Sequence, residues 1–279
     1  MAKKKRKTIS FLFALVALAA LLCVVLYILF FMKGELSLPS SKFEVMLDAG
    51  HDSNQVGYST SIQENEYTKE VTSRLYELLK GNDDIKVSLT HELDEPHSLT
   101  KRLEVIEEEK PDILISIHAG YDPSPNLRGM RIITQLPTNP EHDNSVLLAK
   151  EIQKAFDDES NFVAVGYYYY VPTHNEKVAL AFVPLEDKGI REYETLNILQ
   201  SESVPTVVVE GLNINNPEEV AELTTEETYQ KTAQQYYQAI LEMKEKLESS
   251  KWTQSAIKWH FFNVCVLNFL IKTVQYICQ

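Results

Sequence analysis

Short runs of apolar residues recur along the middle of the chain, and each has the length and the β-branched content of a strand. Nearly continuous apolar character, as in DILISIH, is typical of strands that are covered on both faces. The pattern therefore predicts a sheet buried between two layers. Its strands are FEVMLD, IKVSLT, DILISIH, MRIITQL and VPTVVVEG, which begin at Phe43, Ile85, Asp112, Met130 and Val204.

Between these runs, apolar residues return at the three- and four-residue spacing of amphipathic helices. Strands and helices that alternate in this way predict an α/β fold, with a mixed, mostly parallel central sheet and helices on both faces. Residues 157–200 show no clear period, and their tyrosine run fits either a strand or a loop. The predicted helices cover Glu64 to Lys80, Ser98 to Glu109, residues 144–156, a short helix opened by Asn216 and Pro217, and Glu226 to Leu247.

The N-terminus combines a basic cluster, Lys3 to Lys7, with a long uncharged segment. Residues 9–32 carry no charged side chain and have about the length that a bilayer core requires. We predict a cytoplasmic segment over residues 1–8, a transmembrane signal anchor over 9–32 and a linker over 33–42. The basic flank is expected to stay inside, so the protein would be a single-pass type II protein of the cell membrane. A cleaved signal peptide is the alternative.

Composition and charge narrow the class of protein. The chain has 279 residues, 44% of them apolar, which is enough for a sizeable core. Its net charge of −13 makes nucleic acid an unexpected partner, because binding a polyanion needs a basic patch. Cys23, Cys265 and Cys278 all lie outside the segment from Met32 to Lys258. A disulfide framework or a cysteine-ligated metal site in the main domain is therefore excluded.

The last segment, residues 249–279, is apolar, aromatic and basic, unlike the acidic domain expected over residues 43–248. Its uncharged stretch between Lys258 and Lys272 is short for crossing a bilayer. An interfacial or packed helix is favoured over a second transmembrane segment, and the pattern assigns the tail no role.

Three predicted strands end in residues that bind metals or transfer protons. His51 follows the first strand, His118 ends the third, and Glu210 lies at the end of the last. In open α/β sheets, ligands bind beyond the carboxyl ends of the strands, so we expect these three residues to lie close together. Two imidazoles and a carboxylate are a usual ligand set of catalytic zinc (Zn²⁺), which keeps a fourth position open.

Four residues near His51 in the chain could supply the carboxylate ligand of such a site. They are Asp48, Asp52, Glu64 and Glu66. Glu64 begins the first helix, from where its side chain can turn back over the sheet edge. Glu210 is a candidate general base that accepts a proton from the attacking water. A site of this kind hydrolyses an amide or an ester.

Four motifs in order resemble one known family, the zinc-dependent N-acetylmuramoyl-L-alanine amidases of type 3, which cut peptidoglycan. They are LDAGHDS, QENEYTKEVTSRL, SIHAG and PTVVVEGLNINN, and the resemblance covers about Phe43 to Leu247. Weaker matches include Arg102 before the third motif and the strand RGMRII.

The resemblance implies that His51, Glu64 and His118 bind zinc and that Glu210 is the catalytic base. Glu64 is preferred to Glu66, because only Glu64 keeps the family's apolar helix positions in register. The implied substrate is the amide between N-acetylmuramic acid and L-alanine. The pattern identifies no substrate-binding residue and no protein partner. His174, in the irregular stretch, is a further candidate to approach the substrate.

The chain departs from the family pattern at three positions. Asp52 stands where the family usually has glycine, Gly120 where it has asparagine, and His91 where it often has arginine. These changes are expected to alter the rim of the site and leave its centre intact, with His91 on the surface. Two alternatives stay open: a wall-binding or regulatory module without turnover, and a zinc peptidase that acts on stem peptides.

Overall fold

The computed structural model describes Leu22 and residues 42–93, 95–157, 168–171, 181–183, 190–192 and 197–250. The chain divides into two units, Met1–Lys42 and Phe43–Gln279. Across the described ranges, no helix is both long and apolar enough to cross a membrane. The predicted anchor over residues 9–32, apart from Leu22, and residues 251–279 of the tail lie outside the described residues.

Over its described residues, the second unit contains one eight-stranded sheet and five α-helices. The strands are β1 Phe43–Ala49, β2 Ile85–Leu89, β3 Ile113–Gly120, β4 Arg131–Thr134, β5 Tyr168–Val171, β6 Ala181–Val183, β7 Ile190–Glu192 and β8 Thr206–Asn213. The helices are α1 Glu64–Lys80, α2 Leu99–Glu109, α3 His142–Asp157, α4 Pro217–Leu223 and α5, residues 226–250, with a 3₁₀ turn at Asn197–Gln200.

The strand order is β2-β1-β3-β8-β4-β7-β5-β6. Strand β4 runs antiparallel to β8, and β6 runs antiparallel to β5, whereas the other neighbours are parallel. The parallel strands β1, β3 and β8 lie side by side, so their carboxyl ends meet at one edge of the sheet. This edge is where the predicted site residues come together.

Helices cover both faces of the sheet, because side chains on a strand point alternately to opposite sides. On β3, Ile113, Ile115 and Ile117 pack into a core formed with α1, α3 and α5. Leu114 faces the other way and packs against Ile106 of α2 and the 3₁₀ turn. Each fully buried aliphatic side chain of this kind contributes about 1.5 to 3 kcal/mol.

The helix that carries the site begins with a capping box. Gln63 is the N-cap of α1, and its backbone N–H donates to the side chain of Glu66 at 3.3 Å. Tyr67, Val71 and Leu75 then bury the face of α1 that rests on the sheet. The cap and the apolar stripe together fix where α1 starts, and so fix the position of Glu64 at its first turn.

The predicted α/β fold with a mixed, mostly parallel sheet is confirmed. Each of the five predicted strands and five predicted helices corresponds to an observed element, with ends that shift by a few residues. The irregular stretch contains three strands that the pattern did not predict separately, β5, β6 and β7. His174 lies outside the described residues.

Candidate metal centre

Glu64 lies between His51, which follows β1, and His118, which lies near the end of β3. Its Oε2 atom is 3.0 Å from His51 Nε2, and its Oε1 atom is 3.1 Å from His118 Nδ1. The two imidazole rings meet edge to face, with their centroids 5.1 Å apart. One donor atom from each of the three residues lies within 4.8 Å of the other two. The structure therefore brings together the three residues that the sequence predicts as zinc ligands.

The Glu64 carboxylate also accepts hydrogen bonds from two backbone amides, which hold it in place. Tyr58 N donates to Oε2 at 3.0 Å and Ala119 N donates to Oε1 at 3.2 Å, while the side chain is only 2% exposed. Burial on its own would raise the pKa of Glu64, but hydrogen bonds from His118 and His51 outweigh it and hold the pKa at about 2. The carboxylate is thus ionised and oriented, as a metal ligand needs to be.

The other three candidate carboxylates make hydrogen bonds away from the two histidines. Glu66 is exposed and serves the capping box of α1. Asp48 accepts hydrogen bonds from Thr90 Oγ1 and Ser116 Oγ, and Asp52 accepts from the backbone amides of a turn. The choice of Glu64 over Asp48, Asp52 and Glu66 therefore agrees with the geometry.

His51 has a backbone conformation that is rare outside glycine. Its φ angle is +68°, in the left-handed region, which costs an ordinary L-residue about 1 to 2 kcal/mol. Arg102 of α2 compensates by holding the adjacent backbone, since its Nη2 donates to His51 O at 2.6 Å and its Nη1 to Ala49 O at 2.8 Å. The same guanidinium pairs with Asp48 Oδ1 at 3.0 Å. Arg102 is thus a positioning residue for His51.

Glycine is required at two turns that touch the histidines. A methyl group on Gly57, whose φ is +72°, would lie 2.5 Å from Glu64 Oε2 and 2.6 Å from His51 Cδ2. A methyl group on Gly50 would lie 2.4 Å from the His118 ring. Both glycines therefore let the backbone approach the three donor groups closely.

Glu210 lies beside His118 on the next strand. The two residues are Cα partners in the parallel β3/β8 pair, and Glu210 is also the Cα partner of Arg131 in the antiparallel β4/β8 pair. Glu210 Oε2 is a buried atom that accepts no hydrogen bond from the described residues, although Arg131 Nε lies 3.3 Å away as an ion pair. A carboxylate oxygen with spare acceptor capacity beside a metal centre is suited to accept a proton.

Of the three departures from the family pattern, Asp52 and His91 are buried, so the expected surface position of His91 is wrong. Asp52 is buried and ties its own turn to the next loop, since its Oδ1 accepts from Asn54 N and Gln55 N and its Oδ2 from His97 N. His91 is only 5% exposed, with Nδ1 2.9 Å from Thr90 Oγ1. Both buried side chains therefore make hydrogen bonds close to the turn that carries His51.

Gly120 is the third departure, and it adjoins the proposed base. A methyl group there would lie 2.8 Å from Glu210 Oε2 and 3.1 Å from Arg131 Nη2. An asparagine, as in the family pattern, would collide with that pair. Sequence reasoning does not identify Arg131 as a site residue, and its signal is a lone charge within the apolar run MRIIT.

A cleft of about 410 Å³ opens beside the histidines. Its described lining includes Asn54, His97, Leu99 and Ile198, together with His51 and His118. The centre is therefore reachable by a ligand larger than water.

Comparison with known proteins identifies a family that this chain resembles. A family model described as N-acetylmuramoyl-L-alanine amidase matches residues 45–242. A probable N-acetylmuramoyl-L-alanine amidase, AmiB, of Haemophilus influenzae is 23% identical over 249 residues, which cover 78% of this chain and 56% of the relative. The chain thus spans about half the length of that relative.

A putative N-acetylmuramoyl-L-alanine amidase of Buchnera aphidicola is 26% identical over 71% of this chain and 93% of its own length. Among solved structures, the catalytic domain of the amidase CwlV from Bacillus (Paenibacillus) polymyxa has the same fold, with a TM-score of 0.58. It is 23% identical, and the match covers 72% of this chain and 98% of that domain. Because the family model spans well over half of the sequence, the chain belongs to the N-acetylmuramoyl-L-alanine amidase family, whose members are hydrolases.

Proposed function

We propose that this protein is a zinc-dependent amidase that hydrolyses the bond between N-acetylmuramic acid and L-alanine in peptidoglycan. The observation that carries the proposal is the buried Glu64 carboxylate held between His51 and His118, with Glu210 on the neighbouring strand. Membership of the family supports peptidoglycan as the substrate class.

The donor set fits zinc. Two imidazole nitrogens and one carboxylate oxygen are the protein ligands of many catalytic zinc sites, and they leave one position for water or substrate. The side chains of His51 and His118 are 28% and 25% exposed, so the donors are not sealed in the core. When bound, zinc would polarise the scissile carbonyl and lower the pKa of a water molecule.

The side chains of the protein have separate roles in metal binding and proton transfer. His51, Glu64 and His118 would hold the metal, and the amides of Tyr58 and Ala119 keep the Glu64 carboxylate in place. Glu210 would take a proton from the attacking water and pass it to the nitrogen of the leaving L-alanine.

Digestion of purified peptidoglycan by the full chain, supplied with zinc, tests the proposal. We expect peptides with a free L-alanine amino terminus and glycan that keeps its lactyl carboxylate, both identified by mass spectrometry. Glu210→Gln should bind zinc normally and release at least about 100-fold less peptide, since general base catalysis contributes about 10² to 10⁴.

The two alternatives give different results in the same assay. A zinc peptidase would release fragments with new ends within the stem peptide. A wall-binding or regulatory module would bind peptidoglycan with no release, and Glu210→Gln would change nothing. Either result would refute the proposed amidase activity.

We also infer that residues 9–32 anchor the protein in the cell membrane with the domain outside. The support is the uncharged segment and its basic flank. Treatment of intact cells with a protease should then degrade the domain, whereas a domain that is protected until lysis would contradict the inference.

A further inference from the structure

Two tyrosines on different loops form a stacked and exposed pair. The ring centroids of Tyr58 and Tyr121 are 4.5 Å apart with an interplanar angle of 16°. Tyr58 is 51% exposed and Tyr121 is 37% exposed. Among the described residues from 43 onward, the other large apolar side chains exposed to this degree are Leu99 and Leu127. Pairing two such side chains creates a concentrated aromatic surface, and exposed patches of this kind often mark binding sites.

Each tyrosine follows a glycine that packs against the metal centre or the proposed base. Gly57 approaches Glu64 and His51 so closely that a methyl group would clash with both. Gly120 approaches Glu210 in the same way. Neighbouring Cα atoms are about 3.8 Å apart. The pair therefore joins the loop on the metal side of the site to the loop on the side of the base.

The backbone beneath the pair is held in place on both sides. Tyr58 N donates to Glu64 Oε2 at 3.0 Å. Next to Tyr121, Asp122 N donates to Asn213 Oδ1 at 3.0 Å, and Asn215 Nδ2 donates to Asp122 O at 2.9 Å. A surface fixed in this way loses little conformational entropy when a ligand binds to it.

We propose that the Tyr58–Tyr121 pair binds a pyranose ring of the glycan strand and so holds the strand over the metal centre. The inference rests on the proposed function, because that function names peptidoglycan as the substrate. One face of a pyranose consists of C–H groups, whose weakly positive hydrogens match the negative face of an aromatic ring. Its hydroxyl groups lie at the edge. The stem peptide begins with alanine, whose single methyl group offers much less area to stack.

Steady-state kinetics on disaccharide-containing muropeptides test the inference first. Tyr58→Ala and Tyr121→Ala are each expected to raise KM about tenfold. For Tyr121→Ala, which lies outside the metal ligands' hydrogen bonds, kcat should stay within about twofold. The phenylalanine variants keep the ring and should behave like the wild type. The leucine variants keep apolar area without an aromatic face and should resemble the alanine variants. Tyr76→Ala is the matched control, since Tyr76 lies twelve residues beyond Glu64 in the same helix, about 18 Å away.

Zinc content and thermal unfolding of each variant separate stacking from a structural role. If the alanine variants lose zinc or unfold at much lower temperature while the phenylalanine variants do not, the pair stabilises the loops, and the proposed contact with sugar is wrong.

Direct binding of peptide-free glycan separates this inference from the proposed function. The full chain is titrated calorimetrically with a tetrasaccharide of two N-acetylglucosamine–N-acetylmuramic acid units. We expect binding that Tyr121→Ala weakens about tenfold, a result that would stand even for a protein without amidase activity. Equal binding by the wild type and Tyr121→Ala would overturn the inference while leaving amidase activity intact. The same titration is made with free stem peptide. If Tyr121→Ala weakens binding of the peptide and not of the tetrasaccharide, the peptide is the occupant and the inference is wrong.

Discussion

Arg131 lies directly opposite Glu210 in the antiparallel β4/β8 pair, with its Nε atom 3.3 Å from Glu210 Oε2. Arg131 is 8% exposed, so the charge is next to the carboxylate and largely shielded from solvent. Gly120 leaves the space that both side chains occupy. The ion pair therefore holds the Glu210 carboxylate in one orientation, in the space that Gly120 leaves.

Arg131→Gln is therefore expected to lower kcat by about 10- to 100-fold, because misplacing a catalytic group by about 1 Å can cost that much. Zinc content should stay unchanged, since Arg131 touches none of the three donor residues in the described contacts. Arg131→Lys should recover part of the lost activity. The measurement is kcat on soluble muropeptides beside metal analysis.

Arg128→Gln is the matched control for Arg131. Arg128 is on the same segment but pairs with Glu222 at the surface, away from Glu210. If both arginine variants reduce kcat equally, the effect belongs to the strand as a whole, and Arg131 does not orient Glu210.

Gly57→Ala is expected to destroy the metal centre. The methyl group would meet the Glu64 carboxylate and the His51 ring at less than 3 Å, and alanine at φ +72° adds about 1 to 2 kcal/mol of backbone strain. Zinc affinity, measured by competition with a chelator, should fall more than tenfold.

Gly81→Ala, at the C-terminus of α1, tests whether glycine replacement itself is harmful. Gly81 has a φ of −74°, and a methyl group there would come no closer than 3.4 Å to Leu78 O. Normal zinc binding by both alanine variants would show that the turn at Gly57 can relax.

The sequence predicts the scaffold well because its signals are local. DILISIH is apolar throughout, so it reads as a covered strand, and Gln63 with Glu66 marks the start of α1. Parallel strands then bring His51, His118 and Glu210 to one edge without any knowledge of tertiary contacts. The predicted start of α1 then places Glu64 at the same edge, because Glu64 is the first residue of that helix.

The parts that the sequence does not predict depend on contacts between distant segments. Arg131 meets Glu210 only because β4 joins the sheet antiparallel to β8, and nothing in MRIIT indicates that direction. Tyr58 and Tyr121 are separated by 62 intervening residues and stack only after α1 and β3 are in place. His91 is likewise buried beside Asp48 of β1, a contact that a polar loop residue does not reveal in the sequence.

Arg102→Lys is expected to weaken zinc binding about 10- to 100-fold, which is the usual loss when a group that orients a metal ligand is changed. Lysine cannot reproduce the fork that donates to His51 O, Ala49 O and Asp48 together. The strained His51 backbone should then relax. Chelator competition measures the loss.

Lys101→Gln is the control for Arg102, because Lys101 is exposed on the same turn of α2. If Arg102→Lys binds zinc as tightly as Lys101→Gln, the guanidinium does not position His51.

The buried His91 gives the free energy of unfolding a defined pH dependence. Burial lowers the pKa of His91, and Arg102 lowers it further, against the opposing charges of Asp48 and Asp52. The folded protein thus favours neutral His91, whereas the unfolded chain takes up a proton near the ordinary pKa of about 6.5. Stability from this group is present above that pH and falls as the pH drops below it.

Urea unfolding of the full chain at pH 7.5 and at pH 5 measures this contribution, while the raised pKa of His118 acts in the opposite direction in both the wild type and His91→Gln. Compared with the wild type, His91→Gln should lose less unfolding free energy between pH 7.5 and pH 5, because glutamine cannot take up the proton. His142→Gln provides the comparison, since His142 lies at the start of α3, in the part of the structure away from the Asp48–Arg102 pair. If His91→Gln and the wild type lose the same stability between the two pH values, protonation of His91 does not destabilise the fold.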